Sequence, residues 1–281
     1  MSIKDITVVI TSFKSNEIIK NCLKSIDRQC QIVIVENSND LGFKKNIEQD
    51  FSNVECILSG KNFGYGKANN IGLKKVKTKY ALILNPDATL HASALENFFK
   101  TVDQISEFAI IGPHIQVKKD ENKITDGKNS KPILVKNVKG FGMFLNMSEF
   151  RDIGFFDENF FMYFEEMDLC KRIIDCNKKI YLVPNIKINH VGAQSHSKSI
   201  NKSMELSRNW HWMWSTFYYY KKHKGFFISL LIVLPKLGSA IFKVMLYSLL
   251  LNKEKKEIYY NRYSGLINAI MGKHSWYRPN V

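Results

Sequence analysis

Four short apolar runs recur through the first third of the chain: ITVVITSF (6–13), QIVIVENSND (31–40), VECILSG (54–60) and KYALILNPD (79–87). Each is strand-length, rich in β-branched residues and closed by polar or turn-forming ones. Helical patterns fall between them. In SNEIIKNCLKSI, Ile18, Ile19, Cys22, Leu23 and Ile26 recur at helical spacing behind Ser15 or Asn16 as N-cap, and GKANNIGLKKV opens a second helix. Strands alternating with helices predict an α/β fold, a parallel sheet with helices on both faces. Further on, VKGFGMFLNM (138–147) reads as a strand, 118–139 as a basic loop or hairpin, and KIYLVPNIKINHVG (179–192) as a strand pair broken at Pro184.

Ligands of such sheets bind at the carboxyl ends of the strands. Three of those ends are polar here: Thr11-Ser12, Glu36-Asn37-Ser38 and Asn85-Pro86-Asp87. As turn chemistry Asp87 is ordinary. As a carboxylate at a strand end it could hold Mg²⁺ or Mn²⁺, hard cations that bridge to phosphates, with neutral Asn85 beside it and His190 as a further ligand. Glu36 could accept a hydrogen bond from a base or ribose, or cap its own loop. KNFGYGKANNIG (61–72) lacks the third glycine of a dinucleotide fingerprint, yet its glycines and amides could admit a phosphate or sugar. In FFMYFEEMDLCKRII, Asp168 has Arg172 one turn ahead, whereas Glu165 and Glu166 face Leu169 and Cys170 at that spacing. Two carboxylates without built-in counter-ions behind an aromatic run suit a desolvated general base.

The chain carries 41 Lys+Arg against 26 Asp+Glu, a net charge of +15. From His196 onward there are 14 basic and 3 acidic residues, so 14 − 3 = +11 of that excess lies in the last third. There the segment RNWHWMWSTFYYYKKHKGFFISLLIVLPKLGSAIFKVMLYSLLL turns from aromatic and basic to strongly apolar. Residues 226–251 are about bilayer length but interrupted by Pro235, Lys236 and Lys243. An interfacial amphipathic helix with an aromatic belt fits best, over a buried hairpin or a true span. Nucleic-acid binding would explain the charge but not the long aliphatic run, so no nucleic-acid partner is expected. The five scattered cysteines form no CxxC pair, and MSIKDITVVITSF runs straight into a strand; a reducing compartment and no signal peptide are expected.

Taken in order, VVITSFKSNEIIKNCLKSI, IVIVENSND, NFGYGKANNIGLKK, LILNPDATL and GFGMFLNMSEFRDIGFFDENFFMYFEEMDLCKRI resemble the family 2 glycosyltransferases, nearest the bacterial rhamnosyltransferase-like branch. The resemblance runs from about Ile6 to Gly192. It implies a GT-A fold and transfer with inversion. By that analogy Thr11, Ser12 and Glu36 meet the nucleotide, and Asn62, Gly64 and Asn70 line the nucleotide-sugar pocket. Asn85-Pro86-Asp87 stands where many members have Asp-x-Asp, so Asp87 is the retained ligand of Mg²⁺ or Mn²⁺, completed by His190. Glu165-Glu166 matches a Glu-Asp pair whose second member is the base, here Glu166, with Glu165 as the fallback.

The expected organisation is a catalytic domain over 1–200, split into a nucleotide-sugar half (1–112) and an acceptor and catalytic half (113–200). A helical membrane-associating region follows over 201–281. The expected partners are a dTDP- or UDP-sugar donor, a lipid-linked glycan acceptor and the cytoplasmic face of a membrane, held peripherally or monotopically. A UDP-hexose or furanose donor is the alternative. Two further classes stay open: a nucleotidyltransferase, although TSFKSN lacks the basic Gly-rich loop expected after the first strand, and a non-catalytic membrane-bound scaffold.

Overall fold

A computed structural model describes residues 2–116, 131–190 and 201–279. Its strands are β1 (Ile6–Ser12), β2 (Gln31–Glu36), β3 (Val54–Leu58), β4 (Tyr80–Leu84), β5 (Ala88–Leu90), β6 (Ile110–Gln116), β7 (Ile133–Leu134), β8 (Gly142–Asn146) and β9 (Ile180–His190). Its α-helices are α1 (Ile19–Lys24), α2 (Leu41–Asp50), α3 (Tyr65–Leu73), α4 (Ala94–Gln104), α5 (Phe150–Ile153), α6 (Glu165–Asp175), α7 (Asn201–Lys224), α8 (Phe226–Leu249) and α9 (Lys253–Ile270).

The chain divides into two compact units. The first comprises Met1–Phe63, Lys67–Phe156 and Glu166–Ser197. It is built on one sheet in the order β3-β2-β1-β4-β8-β6-β9-β5, with β7 paired to β9. β3, β2, β1 and β4 run parallel, as the helical crossovers between them require. β8 then pairs antiparallel with both β4 and β6. The inner strands are buried on both faces, which is why their sequences read as continuous apolar runs rather than alternating ones. Near β8 the core is aromatic: Phe144 stacks with Tyr80, Phe98 and Phe108.

Two local expectations are corrected. Ile180–His190 form one strand, not a broken pair: Pro184 falls where the β6–β9 register skips from Pro113–Val183 to His114–Lys187, so its missing N–H leaves no ladder bond to β6 unmade. α1 begins at Ile19 with Ile18 rather than Ser15 or Asn16 in the N-cap position; the Ser15 hydroxyl hydrogen-bonds Phe13, and the Ser15 carbonyl accepts from the N–H of Ile18 and Ile19. The basic loop expected over 118–139 lies mostly outside the described residues.

The second unit comprises Gly64–Gly66, Asp157–Glu165 and Lys198–Val281. α7, α8 and α9 pack around Trp210, Met213, Trp214, Phe217, Val233, Leu266 and Ala269. α9 approaches α7 so closely that a Cβ on Gly265 would lie 2.2 Å from the Trp210 carbonyl oxygen. His211 is fixed between the Tyr277 carbonyl (2.8 Å) and Ser275 Oγ (3.1 Å), and burial lowers its pKa to about 3, so it packs as a neutral ring. α8 runs unbroken through Pro235. Ser229, Val233 and Ala240 are its buried side, whereas Phe227, Leu231, Phe242 and Met245 are 62–80 % exposed. Among the described residues it is the one helix long and apolar enough to cross a membrane.

Candidate active site

The carboxyl ends of β1, β2 and β4 carry the polar groups of the first unit. Thr11 Oγ1 and Ser12 Oγ, at the end of β1, have no hydrogen-bond partner among the described residues although both atoms are buried. At the end of β2 the Glu36 carboxylate is taken by its own loop. It accepts from Ser38 N and Asp40 N at 2.9 Å and from Ser38 Oγ at 2.6 Å. Next to it Asn37 accepts from Phe63 N and donates to Asn62 Oδ1 at 3.1 Å, fixing the Asn62 amide. In sequence Asn37 stands out only as part of a polar strand end, with no role of its own assigned to it.

Asp87 is the most exposed to physical cost of these groups. Its side chain is 1 % accessible, and neither carboxylate oxygen receives a hydrogen bond from a described residue. A buried carboxylate left so is strongly disfavoured unless a cation or proton joins it. The ion-pair partner that the described residues offer is the His190 imidazole, whose Nε2 lies 3.2 Å from Oδ1. That approach is built by topology: β5 pairs antiparallel with β9, setting Ala88 opposite His190. Phe141 stacks flat on the imidazole, with centroids 4.6 Å apart at 9°, and accepts the Asn85 N–H at 2.9 Å through its carbonyl. Asn85 Nδ2 sits 3.4 Å from His190 Nε2, and Asn85 Oδ1 is a third buried oxygen without a donor. Nearby, burial and then the charge of Asp87 push the Cys22 thiol far up, so Cys22 stays protonated and donates to the Asn85 carbonyl.

Three buried oxygens without donors and an imidazole make a donor set that fits Mg²⁺ or Mn²⁺. No group of three or more His, Cys, Asp or Glu side chains converges among the described residues. The chain therefore supplies a partial shell, the kind that substrate phosphates complete.

Glu166 lies in the first turn of α6 and is half-buried. Desolvation raises its pKa, countered in part by the backbone N–H groups opening the helix and by the charge of Lys139. Asp168 and Arg172 pair at 2.9 Å, as their spacing predicts, and Arg172 also donates to the carbonyls of Ile153 and Phe155. Asn70 is wholly occupied in bracing this region: its amide both donates to and accepts from the Phe156 backbone, at 2.9 and 3.0 Å.

Gly64 and Glu165 belong to the second unit. Gly64 has φ +81°, and a Cβ there would stand 2.1 Å from the Phe161 carbonyl oxygen, so the close approach it permits is to its own chain. Glu165 is buried and follows two consecutive non-glycine residues, Tyr163 and Phe164, both at φ 69°. Each such residue stores about 1–3 kcal/mol, and strain of this kind clusters at functional sites. Trp212 packs against both rings at 5.3 Å and holds the segment in place.

The chain is similar to several known proteins. The Agl10 hexosyltransferase of low-salt glycan biosynthesis in Haloferax volcanii is 29 % identical over 192 residues, 60 % of this chain and 61 % of the relative. The rhamnosyltransferase WbbL of Escherichia coli is 25 % identical over 247 residues, 75 % of this chain and 91 % of the relative. In fold, the chain is similar to the mannosyltransferase PcManGT of Pyrobaculum calidifontis, solved with GDP-Man and Mn²⁺. The TM-score is 0.60 at 12 % identity, covering 96 % of this chain and 88 % of that one. The fold is GT-A-like, a mixed sheet flanked by helices with further helices at the C-terminal end. The profile of Glycosyl transferase family 2 matches residues 7–170, and the chain belongs to that family.

Proposed function

We propose that the chain transfers a sugar, with inversion, from a nucleoside diphosphate to a hydroxyl of a lipid-linked surface glycan at the cytoplasmic face of a membrane. dTDP-L-rhamnose is the preferred donor, because similarity to the WbbL rhamnosyltransferase extends over most of both chains. The observation that carries the reading is Asp87, a buried carboxylate with two unbonded oxygens beside His190 at a strand's carboxyl end.

Each residue then has a task. Asp87, His190 and Asn85 are the residues that would hold a divalent cation beside the donor diphosphate. Mg²⁺ or Mn²⁺ bound there would neutralise the charge that gathers on the departing nucleoside diphosphate. Thr11 and Ser12 offer unclaimed hydroxyls to the nucleotide, and Asn62 presents an amide fixed by Asn37. Glu36 and Asn70 keep the surrounding loops in shape rather than reaching the donor. Glu166 takes the proton of the acceptor hydroxyl as that oxygen attacks the anomeric carbon opposite the leaving diphosphate. Burial raises its pKa, which makes it a stronger base than an ordinary carboxylate. Glu165, one residue earlier, is the alternative base. The exposed apolar side of α8 brings the enzyme to the surface where a lipid-linked acceptor is anchored.

Turnover of dTDP-L-rhamnose onto a lipid-diphosphate glycan, followed by NMR of the product's anomeric proton, tests the reading. An inverted product that disappears in E166Q supports it. A retained configuration, or full turnover in both E166Q and E165Q, refutes it. A hexosyl donor is the second reading, favoured by the similarity to Agl10; UDP-hexose turnover with none from dTDP-rhamnose selects it. Binding to membranes without turnover of any donor would select the scaffold.

A further inference from the structure

The helical unit contains a cavity of about 270 Å³ lined by Trp212 of α7, Pro235, Lys236 and Ser239 of α8, and Tyr259 and Arg262 of α9. It is smaller than the roughly 300–1,000 Å³ of sites that enclose a whole small-molecule ligand, so its natural occupant is a headgroup. Its charge is one-sided. Arg262 donates Nε to Asn209 Oδ1 at 2.6 Å, and its guanidinium lies 5.2 Å from the centre of the Tyr259 ring. Lys243 Nζ lies 4.7 Å from the same ring. No carboxylate among the described residues pairs with Lys236, Lys243 or Arg262; two ion pairs of this unit, Lys202–Glu257 and Lys222–Asp157, involve none of them. Lys243 and Arg262 lie against one ring and Lys236 lines the same cavity; like charges so placed repel one another, and an anion seated among them offsets that repulsion. A guanidinium, an ammonium and the Ser239 hydroxyl are the donors that phosphate oxygens take.

The position of the cavity on α8 indicates what carries the phosphate. At about 100° per residue, the exposed large apolar residues of α8 after its first position, from Phe227, Ile228 and Leu231 to Met245 and Leu249, fall within an arc of roughly 140°, and Phe226 lies outside it. Lys236, Ser239 and Lys243 lie on one flank of that arc, between it and the buried side of Ser229, Val233 and Ala240. With the apolar arc in the acyl region, the flank sits at headgroup depth. We infer that this cavity is a binding site for the phosphate of a membrane lipid, a terminal monophosphate or a diphosphate. The site rests on the membrane-facing reading of α8 and deepens it: such a phosphate would lie against Trp212, the indole that also packs on Tyr163 and Phe164 before the catalytic carboxylates.

The test is co-sedimentation of the full chain with vesicles of phosphatidylcholine alone, and with phosphatidylglycerol or phosphatidic acid added to equal surface charge. Phosphatidic acid presents a terminal phosphate monoester; phosphatidylglycerol presents only a diester. The wild type should prefer phosphatidic acid by about tenfold, the effect of one charge-assisted bidentate contact. K236Q/R262Q should lose that preference. K253Q/K256Q, with the same charge removed outside the cavity, should weaken binding to both anionic vesicles equally and keep it. If R262Q unfolds by circular dichroism, K236E alone carries the test, since Lys236 is exposed. Preference retained in the cavity variants, or equal binding to all charged vesicles by the wild type, overturns the site while leaving membrane attachment standing. Failure of the wild type to bind any vesicle overturns both. Release from phosphatidic acid vesicles by millimolar inorganic phosphate would identify a soluble-phosphate site and overturn the lipid assignment.

Discussion

Replacing Asp87 by asparagine should make the metal-free protein more stable while removing its use of metal. The carboxylate is buried, and neither oxygen has a hydrogen-bond donor among the described residues. Asparagine keeps the shape and removes the charge. A buried polar group without a partner costs about 1–3 kcal/mol, and more when charged. His190 at 3.2 Å offsets part of this, so about 2 kcal/mol is a reasonable net gain for D87N. At about 2–4 °C per kcal/mol for a unit of this size, Tm should rise by roughly 4–8 °C in EDTA. Adding Mn²⁺ with nucleoside diphosphate should stabilise the wild type by mass action and leave D87N unmoved, reversing the order. The assay is thermal unfolding followed by circular dichroism, with and without those ligands. A D87N protein that melts at or below the wild type in EDTA and still responds to Mn²⁺ would refute the reasoning, because Asp87 would then be a satisfied structural carboxylate.

E166Q should bind donor with wild-type affinity by calorimetry and lose about 10²–10⁴-fold in kcat, the usual contribution of a general base. Because desolvation raises the pKa of Glu166, the base is protonated and idle below that raised value and active above it. The acid limb of the kcat/KM profile should therefore lie above the ordinary glutamate value of about 4.3. Lys139 opposes the rise, so K139M should move the limb to still higher pH; no movement would separate Glu166 from that limb. G64A should destabilise the protein by about 1–3 kcal/mol in urea titrations, since its Cβ meets the Phe161 carbonyl at φ +81°; an unchanged midpoint would contradict that packing.

The sheet was legible where burial is two-sided: β1, β2 and β4 are apolar on successive residues because helices cover both faces. The edge of the pattern was harder. β5 has three residues and β7 two, too short to show any period, yet β5 is what brings His190 beside Asp87. α2, LGFKKNIEQD, buries only Phe43 and Ile47, a stripe too sparse to read as a helix in sequence. Pro184 signalled a break because an isolated strand cannot carry it, and only the register skip against β6 makes it harmless. Within the candidate site, residue type singled out Asp87 and Glu166 but did not show what the other polar side chains bond. Glu36 at a strand end and Asn70 behind a glycine-containing loop are polar residues in settings that suggest ligand contact, and both bond backbone groups instead, Asp40 N and Phe156 N among them. The stacking of Phe141 on His190 left no sequence trace, since Phe141 reads as one more apolar residue beside a strand.

The central claim is metal-assisted recognition of a nucleotide-sugar at Asp87. Calorimetry on the detergent-purified full chain tests it most directly, with dTDP-rhamnose, UDP-glucose, UDP-galactose, UDP-N-acetylglucosamine and GDP-mannose titrated with and without Mg²⁺ or Mn²⁺, and repeated on D87A. The account predicts selective binding of dTDP-rhamnose that requires the cation and disappears in D87A. Donor binding of equal strength without metal, unchanged in D87A, would contradict it.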